Sequence, residues 1–167
     1  MEKAFLCKTP EETFELGKEI GKCLSGGEVI LLFGGLGSGK TLLTKGIVSS
    51  LGYDENDVNS PSFTLVNTYE AEKGRVYHLD LWRLSNELDV GFSTGLDEIL
   101  SGEAIVIIEW AEKLSNYDFD RSKSVEIRIE EDEDERRKIT ISGRLVEDCI
   151  INFVGKYSEY DSPRHFS

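Results

Sequence analysis

The sequence predicts an α/β fold, a three-layer sandwich in which a central mixed sheet, with a parallel core and antiparallel hairpins, is flanked by helices. Two apolar runs, Val29–Phe33 and 104–109, are typical of buried parallel strands. Two pairs of segments, within 60–81 and 124–142, have the β-rich or alternating character of hairpins. Helical periodicity in the intervening segments completes an α/β pattern.

The chain has 167 residues, 39% of them hydrophobic, which fits one domain that can bury a core of its own. We expect this single domain to span 1–155, followed by a loose tail, rich in Ser, Tyr and charge, at 156–167. The N-terminus lacks the basic and long apolar stretches of a signal peptide, and no run approaches the ~20 apolar residues of a membrane span. We therefore expect a cytoplasmic protein without membrane contact.

The charge and the cysteines limit the kinds of binding site and cross-link that we expect. The formal net charge of −13 argues against a broad basic face for nucleic acid, so any role around RNA is expected to pass through a partner. Cys7, Cys23 and Cys149 are odd in number and widely spaced, without a C-x-x-C pair. This pattern predicts reduced, buried thiols, and neither a structural zinc site nor a disulfide framework.

The N-terminal elements are a short strand at 4–8 and a helix from Thr9 to about Leu24. Thr9 is a typical N-cap, Pro10 fits the first turn, and two glutamates follow near the positive end of the helix dipole. Apolar residues recur at helical spacing along this segment, and a Ser-Gly-Gly sequence ends it.

A glycine-rich segment from Gly34 to Thr41 has the spacing G-x-x-x-x-G-K-T and lies between a predicted strand and a predicted helix at 41–51. This is the context that a phosphate-binding loop, or P-loop, requires. Glycines let successive N–H groups turn toward one anion, and the helix N-terminus adds attraction for negative charge. The fold is therefore expected to be P-loop NTPase-like. The nucleotide-binding candidates in this segment are Gly35, Leu36, Gly37, Ser38, Gly39, Lys40, Thr41 and Leu42.

Side chains with the chemistry of phosphoryl transfer accompany the loop. Lys40 can reach the β- and γ-phosphates, and the Thr41 hydroxyl can ligate Mg²⁺. Glu109 ends a buried strand in the position of a Walker B acid, and Asp80 ends a hairpin strand. A helix cap or a surface ion pair is the alternative role for either acid alone. The sequence thus predicts ATP and Mg²⁺ as cofactors, with Asp80, Glu109 and Lys40 as catalytic candidates and Thr41, Glu109 and Asp80 as metal-binding candidates.

The first predicted hairpin comprises 60–69 and 75–81 around a turn that contains Gly74, where a doubly wound fold would place a crossover helix. The segment 85–100 contains two glycines and is predicted to form two short helices or turns.

The second predicted hairpin comprises 124–129 and 137–142 and is expected at an edge of the sheet. Six consecutive acids at 130–135 would form its solvated tip, with a basic triplet after them as charge compensation. A closing helix is predicted at 145–154.

Five segments, 34–41, 60–66, 77–84, 95–100 and 108–114, together closely resemble the TsaE (YjeE) family. Members of that family are bacterial P-loop ATPases required to make threonylcarbamoyladenosine in tRNA. The resemblance extends over about 9–143, and the combination of motifs is far more specific than the P-loop alone.

The resemblance implies ATP hydrolysis that is weak in the isolated protein and rises with the partner proteins TsaB and TsaD. In that family TsaD is the transferase, TsaB is its scaffold, and the ATPase resets their complex between turnovers, so contact with tRNA is expected only through the complex. By matching motifs, Thr41 and Glu109 resemble Mg²⁺ ligands and Lys40 the phosphate contact. Asp80 is implied to position water or to support the Mg²⁺ indirectly.

The resemblance also implies where the rest of the nucleotide lies. Trp110 follows the strand acid, either as a nucleotide-site residue or as a packing aromatic. The segment 60–64 resembles a mobile switch-like loop that senses the γ-phosphate. The adenine is expected near Thr9, Thr13 and the second hairpin, where Arg136 or Arg137 would stack on the base.

The chain departs from the family pattern in three places, and two other functions stay open. Gly35 stands where an acid is common, Ala111 stands where proline is usual, and the chain continues past 143. One alternative is a small-molecule or nucleoside kinase, which would need an acceptor pocket and an Arg-bearing lid. The other is a nucleotide-dependent switch module in which hydrolysis serves only as a timer.

Overall fold

A computed structural model describes residues 2–35, 37–54, 58, 65–84, 95–150 and 158–159. The strands are β1 Glu2–Cys7, β2 Val29–Phe33, β3 Val66–Ala71, β4 Gly74–Asp80, β5 Ile105–Glu109, β6 Ser124–Glu131, β7 Arg137–Ser142 and β8 Ser158–Glu159. The helices are α1 Pro10–Cys23, α2 Lys40–Ser50, α3 Leu96–Ser101 and α4 Arg144–Asp148, with a 3₁₀ helix at Ala111–Leu114. None of the helices in the described ranges is long and apolar enough to cross a membrane.

The described strands form one mixed sheet in the order β3-β4-β5-β2-β6-β7-β1-β8. The core strands β4, β5, β2 and β6 are parallel to one another, and β3–β4 and β6–β7 are antiparallel hairpins. Helices α1 and α2 cover one face, where Ile30 and Leu32 are buried. A smaller cluster with α3 and the 3₁₀ helix covers Leu31 on the other face. The predicted α/β sandwich is confirmed.

The sequence predicted the second hairpin at an edge of the sheet, and this prediction is wrong. Strands β6 and β7 lie inside the sheet. Strand β6 pairs in parallel with β2, so it extends the parallel core. Strand β1 then pairs with β7 and covers the other side of the hairpin. The alternating pattern of β6 reflects one buried and one exposed face, and such a pattern does not identify the neighbouring strands.

Helices α1 and α2 touch at their backbones. A Cβ atom added to Gly46 would lie 2.2 Å from the Phe14 carbonyl oxygen, and one added to Gly17 would lie 2.4 Å from the Leu43 carbonyl oxygen. Only glycine permits so close an approach. Helix α1 begins as predicted, because the Thr9 hydroxyl accepts a hydrogen bond from the Glu12 N–H at 3.2 Å.

The prediction of reduced thiols is wrong for two of the three cysteines. Cys23, at the end of α1, is disulfide-bonded to Cys149, which follows α4, and their Cα atoms are 5.9 Å apart. The two residues are separated by 126 positions, so only the folded chain brings them together. Cys7 is a free, buried thiol, as expected.

The described part of the C-terminal segment contains a short helix and a short strand. Of the helix predicted at 145–154, only its first part is found as α4, which ends at Asp148; residues 151–154 lie outside the described part of the chain. Within the segment expected to be a loose tail, β8 pairs with β1. The predicted switch-like loop at 60–64 and the first part of the segment 85–100 also lie outside the described residues.

Candidate functional site

The P-loop connects the end of β2 to the start of α2. Gly37 and Gly39 have φ angles of 75° and 108°, a left-handed region that favours glycine, and Gly39 forms the N-cap of α2. A cavity of about 350 Å³ opens at this helix end. It is lined by Gly37, Ser38, Gly39, Lys40, Thr41, Leu42, Asp80, Glu109 and Trp110. The predicted residue Leu36 lies outside the described residues.

Lys40 is 6% exposed and is folded back onto the loop. Its ammonium donates hydrogen bonds to the carbonyl oxygens of Gly34 at 2.6 Å and Gly35 at 2.9 Å. Burial lowers the pKa of Lys40, and the nearby carboxylates, Glu109 first among them, partly oppose that shift. A phosphate bound in the cavity would offer this cation a stronger, charge-assisted partner than the carbonyls.

The two predicted acids lie side by side where strands β4 and β5 end. Asp80 is paired in register with Glu109, and the two residues are 8% and 2% exposed. The Thr41 hydroxyl donates a hydrogen bond to Glu109 Oε1 at 3.0 Å, and Asp80 Oδ1 accepts one from the Trp82 N–H at 3.0 Å. Carboxylate and hydroxyl oxygens are the ligands that Mg²⁺ prefers, so this donor set fits that ion.

A second, smaller cavity of about 90 Å³ lies next to Gly39 and Leu42, between the start of α1 and the second hairpin. Thr9 and Thr13, the two threonines predicted to lie near the adenine, line it. Arg137 also lines it and donates hydrogen bonds to the carbonyl oxygens of Ser38 at 2.8 Å and Gly37 at 3.2 Å.

The structure does not bring Arg136 into this cavity. Its guanidinium is bound to Asp132 at 2.7 Å and to Asp134 at 3.3 Å in the turn of the hairpin. Of the two arginines considered for stacking on the base, only Arg137 lines the cavity. Arg136 belongs to the turn, whereas Arg137 is the first residue of β7, which separates these neighbours.

The sequence reasoning missed three residues that contact the site. His78 is fully buried, and its Nε2 lies 2.5 Å from Glu109 Oε2. Glu112 accepts a hydrogen bond from the Gly34 N–H at 3.4 Å. The Trp82 ring, 47% exposed, lies 4.4 Å from the Trp110 ring between centroids. A usable signal existed for His78, since it lies two residues before Asp80 and so on the same face of β4.

Comparisons with known proteins agree with this geometry. Residues 7–139 match the profile of the family described as "Threonylcarbamoyl adenosine biosynthesis protein TsaE". The chain is 36% identical to "tRNA threonylcarbamoyladenosine biosynthesis protein TsaE" of Aquifex aeolicus over 140 residues, which are 83% of this chain and 95% of the relative. It is 34% identical to the protein of the same name from Bacillus subtilis over 133 residues, 80% of each chain.

The fold is also found in a solved structure. The crystal structure of YdiB from Bacillus subtilis superposes with a TM-score of 0.70 and 26% identity, covering 90% of this chain and 95% of that one. The family profile covers most of the chain, and its residues include the P-loop, both strand acids and Arg137. The chain therefore belongs to the TsaE family.

Proposed function

We propose that this protein binds ATP with Mg²⁺ and hydrolyses the ATP in the biosynthesis of threonylcarbamoyladenosine in tRNA. Hydrolysis would drive turnover of a complex formed by the transferase TsaD and its scaffold TsaB. The observation that carries the proposal is the 3.0 Å contact between Thr41 and Glu109 at the start of the P-loop helix. It joins the two oxygen donors that a nucleotide-bound Mg²⁺ needs in a P-loop protein.

Binding of the triphosphate rests on the loop and on Lys40. The N–H groups of the loop and of the first turn of α2 would hold the phosphates. Lys40 would leave the carbonyls of Gly34 and Gly35 and bind the β- and γ-phosphates, which replaces neutral acceptors by charged ones.

Thr41 and Glu109 would hold Mg²⁺. When bound, the ion neutralises charge that develops on the phosphate oxygens during transfer. Asp80 is adjacent to Glu109 on the neighbouring strand and lines the same cavity, which supports a role in orienting the attacking water or in supporting the Mg²⁺ indirectly.

Family membership supports the proposed partners, and the charge supports an indirect contact with tRNA. A net charge of −13 gives the chain little capacity to neutralise RNA phosphates, which supports contact with tRNA only through the partner proteins. The cytoplasm is the proposed compartment, without membrane contact.

The test compares ATP binding with ATP hydrolysis in variants of the site. We expect Lys40→Ala to weaken ATP binding at least about tenfold, because it removes charge-assisted contacts. Asp80→Ala should lose hydrolysis more than binding. Lys45→Ala, on the same helix but outside the cavity lining, is the matched control and should behave like the wild type. Equal losses of binding and hydrolysis in Asp80→Ala would contradict its role.

The same assays separate the alternative functions. Stoichiometric phosphorylation of an acceptor from a metabolite panel would identify a kinase instead. Glu109→Ala is expected to bind ATP with an affinity that Mg²⁺ no longer raises, not to hydrolyse it, and to fail in tRNA modification assays with TsaB and TsaD. If that variant supported many turnovers, the protein would be a nucleotide-dependent switch rather than an ATPase that drives the complex.

A further inference from the structure

A chain of polar side chains links the first hairpin to the candidate Mg²⁺ site. The Asn67 amide on β3 donates to the Tyr69 hydroxyl at 3.4 Å, and that hydroxyl lies 3.5 Å from His78 Nδ1. On the other side of the ring, His78 Nε2 lies 2.5 Å from Glu109 Oε2. The contacts therefore cross from β3 through β4 to β5, where Glu109 meets Thr41 of α2.

The hydrogen-bond directions along this chain are mutually consistent. A hydroxyl that accepts one hydrogen bond, as that of Tyr69 does from Asn67, can also donate one, here to His78 Nδ1. A neutral imidazole that accepts at Nδ1 carries its proton on Nε2. That N–H then donates to Glu109 Oε2, which leaves Oε1 for the Thr41 hydroxyl.

We infer that His78 is a positioning residue of the ATPase site, which holds Glu109 by one carboxylate oxygen so that the other faces Thr41 and Mg²⁺. Residues that bind the far side of a metal ligand fix its orientation, and their loss weakens metal binding or activity. The His78 side chain is fully buried, which restricts its movement and lets it hold Glu109 in one orientation. The inference rests on the proposed function and extends it to a side chain that does not line the nucleotide cavity.

A purely structural role for His78 makes a different prediction. If His78 only satisfied buried polar groups, its replacement would lower the stability of the fold. Any loss of ATP affinity would then be the same with and without Mg²⁺. A positioning role affects only the part of the affinity that Mg²⁺ supplies. The measurement is therefore the dissociation constant for ATP in Mg²⁺ and in EDTA, with the melting temperature recorded for each variant.

Three substitutions separate the two roles. His78→Leu removes the donor at similar volume, and we expect it to raise the dissociation constant in Mg²⁺ about 10- to 100-fold while the value in EDTA stays within about twofold. His78→Gln keeps an N–H at the reach of Nε2 and should restore most of the Mg²⁺ effect. His78→Asn is too short to reach Glu109 and should behave like His78→Leu. Val76→Ala, a core change on the same strand, is the matched control and should leave the Mg²⁺ effect intact.

Each result supports or overturns the inference. It is overturned if His78→Leu matches the wild type, if it loses affinity equally in both conditions, or if Asn replaces His78 as well as Gln does. Should His78→Leu fail to fold, the comparison of Gln with Asn decides. Crystal structures of the nucleotide-free wild type and of its Gln and Asn variants test the orientation of Glu109 directly. We expect the contact between Thr41 Oγ1 and Glu109 to persist with Gln and to be lost with Asn.

Failure of the proposed function is recognised separately. If wild-type protein bound no ATP, the proposed function would fail, and the crystal structures would still show whether His78 orients Glu109. If the wild type bound ATP with a clear Mg²⁺ effect and the His78 variants retained it, only the positioning role would fail.

Discussion

The Lys40 ammonium lies 4.1 Å from the centre of the Trp110 ring. A cation at this distance over an indole is attracted by the negative face of the ring. Because the same ammonium also binds the Gly34 and Gly35 carbonyls, ring and loop together hold Lys40 away from the position where it would bind phosphate. We expect the proposed nucleotide to draw Lys40 away from the Trp110 ring.

Tryptophan emission should report that event. The chain has two tryptophans, and we expect ATP to change their emission because Lys40 leaves the Trp110 ring. Trp82→Phe should retain the change, whereas Trp110→Phe should lose most of it. Fluorescence titration beside calorimetry checks this. Full binding by calorimetry with unchanged emission in the Trp82→Phe variant would show that the lysine stays in place.

The contact between α1 and α2 predicts unequal effects of two glycine substitutions. Gly46→Ala would place a methyl group 2.2 Å from a backbone oxygen of α1, so we expect the free energy of unfolding to fall by about 1–3 kcal/mol or more. Gly35→Ala is the control, because no described atom beyond its chain neighbours lies within 4 Å of its added Cβ, and we expect a change within about 0.5 kcal/mol. Urea unfolding measures both. Similar losses in the two variants would contradict the described helix contact.

The buried Cys7 thiol predicts a loss of stability in alkaline solution. Burial raises the pKa of Cys7 from 9.0 to about 12. Between these values the unfolded chain has released the proton and the folded chain retains it, so stability is lost as pH rises, by up to about 1.4 kcal/mol per pH unit. Urea unfolding at pH 8 and pH 10.5 should show that wild type loses more stability than Cys7→Ala. Parallel losses in the two proteins would show that Cys7 does not titrate abnormally.

Because of the disulfide, we expect the free energy of unfolding to depend on redox conditions. Removing it with Cys149→Ser under oxidising conditions should lower the free energy of unfolding by about 2–4 kcal/mol, because the cross-link no longer restricts the unfolded chain. A reductant should lower the stability of the wild type to a similar extent and leave the variant unchanged. Alkylation of the denatured, unreduced protein should label one thiol. Labelling of three thiols in air-oxidised protein would contradict the disulfide.

The sequence predicted those features that depend on local pattern. The P-loop, its flanking strand and helix, and the proximity of Asp80 to Glu109 all follow from short motifs and from the rule that parallel strands end at one edge. Features that depend on strand order or on side-chain direction were not predictable in this way. Arg137, rather than Arg136, lines the small cavity because β7 begins at Arg137 and the Arg136 side chain is bound to Asp132 in the turn.

Contacts between residues that are distant in the chain could not be predicted from the sequence either. The place of β6 in the parallel core depends on competition between strands that are distant in the chain. The disulfide depends on the ends of α1 and α4 meeting in the folded chain. His78 could have been found from its spacing to Asp80, but its bond to Glu109 required the register of β4 and β5.

The glycine contact between α1 and α2 also determines which parts of the site can move relative to each other. The start of α1 lines the small cavity proposed for the base, and the start of α2 lines the cavity proposed for the phosphates. Because the two helices meet backbone to backbone, they form a single rigid wall on which both ends of a nucleotide would rest. We expect the proposed nucleotide to displace Asp80 and Trp110, which line the phosphate cavity from outside this helix pair, and to leave the two helices in place.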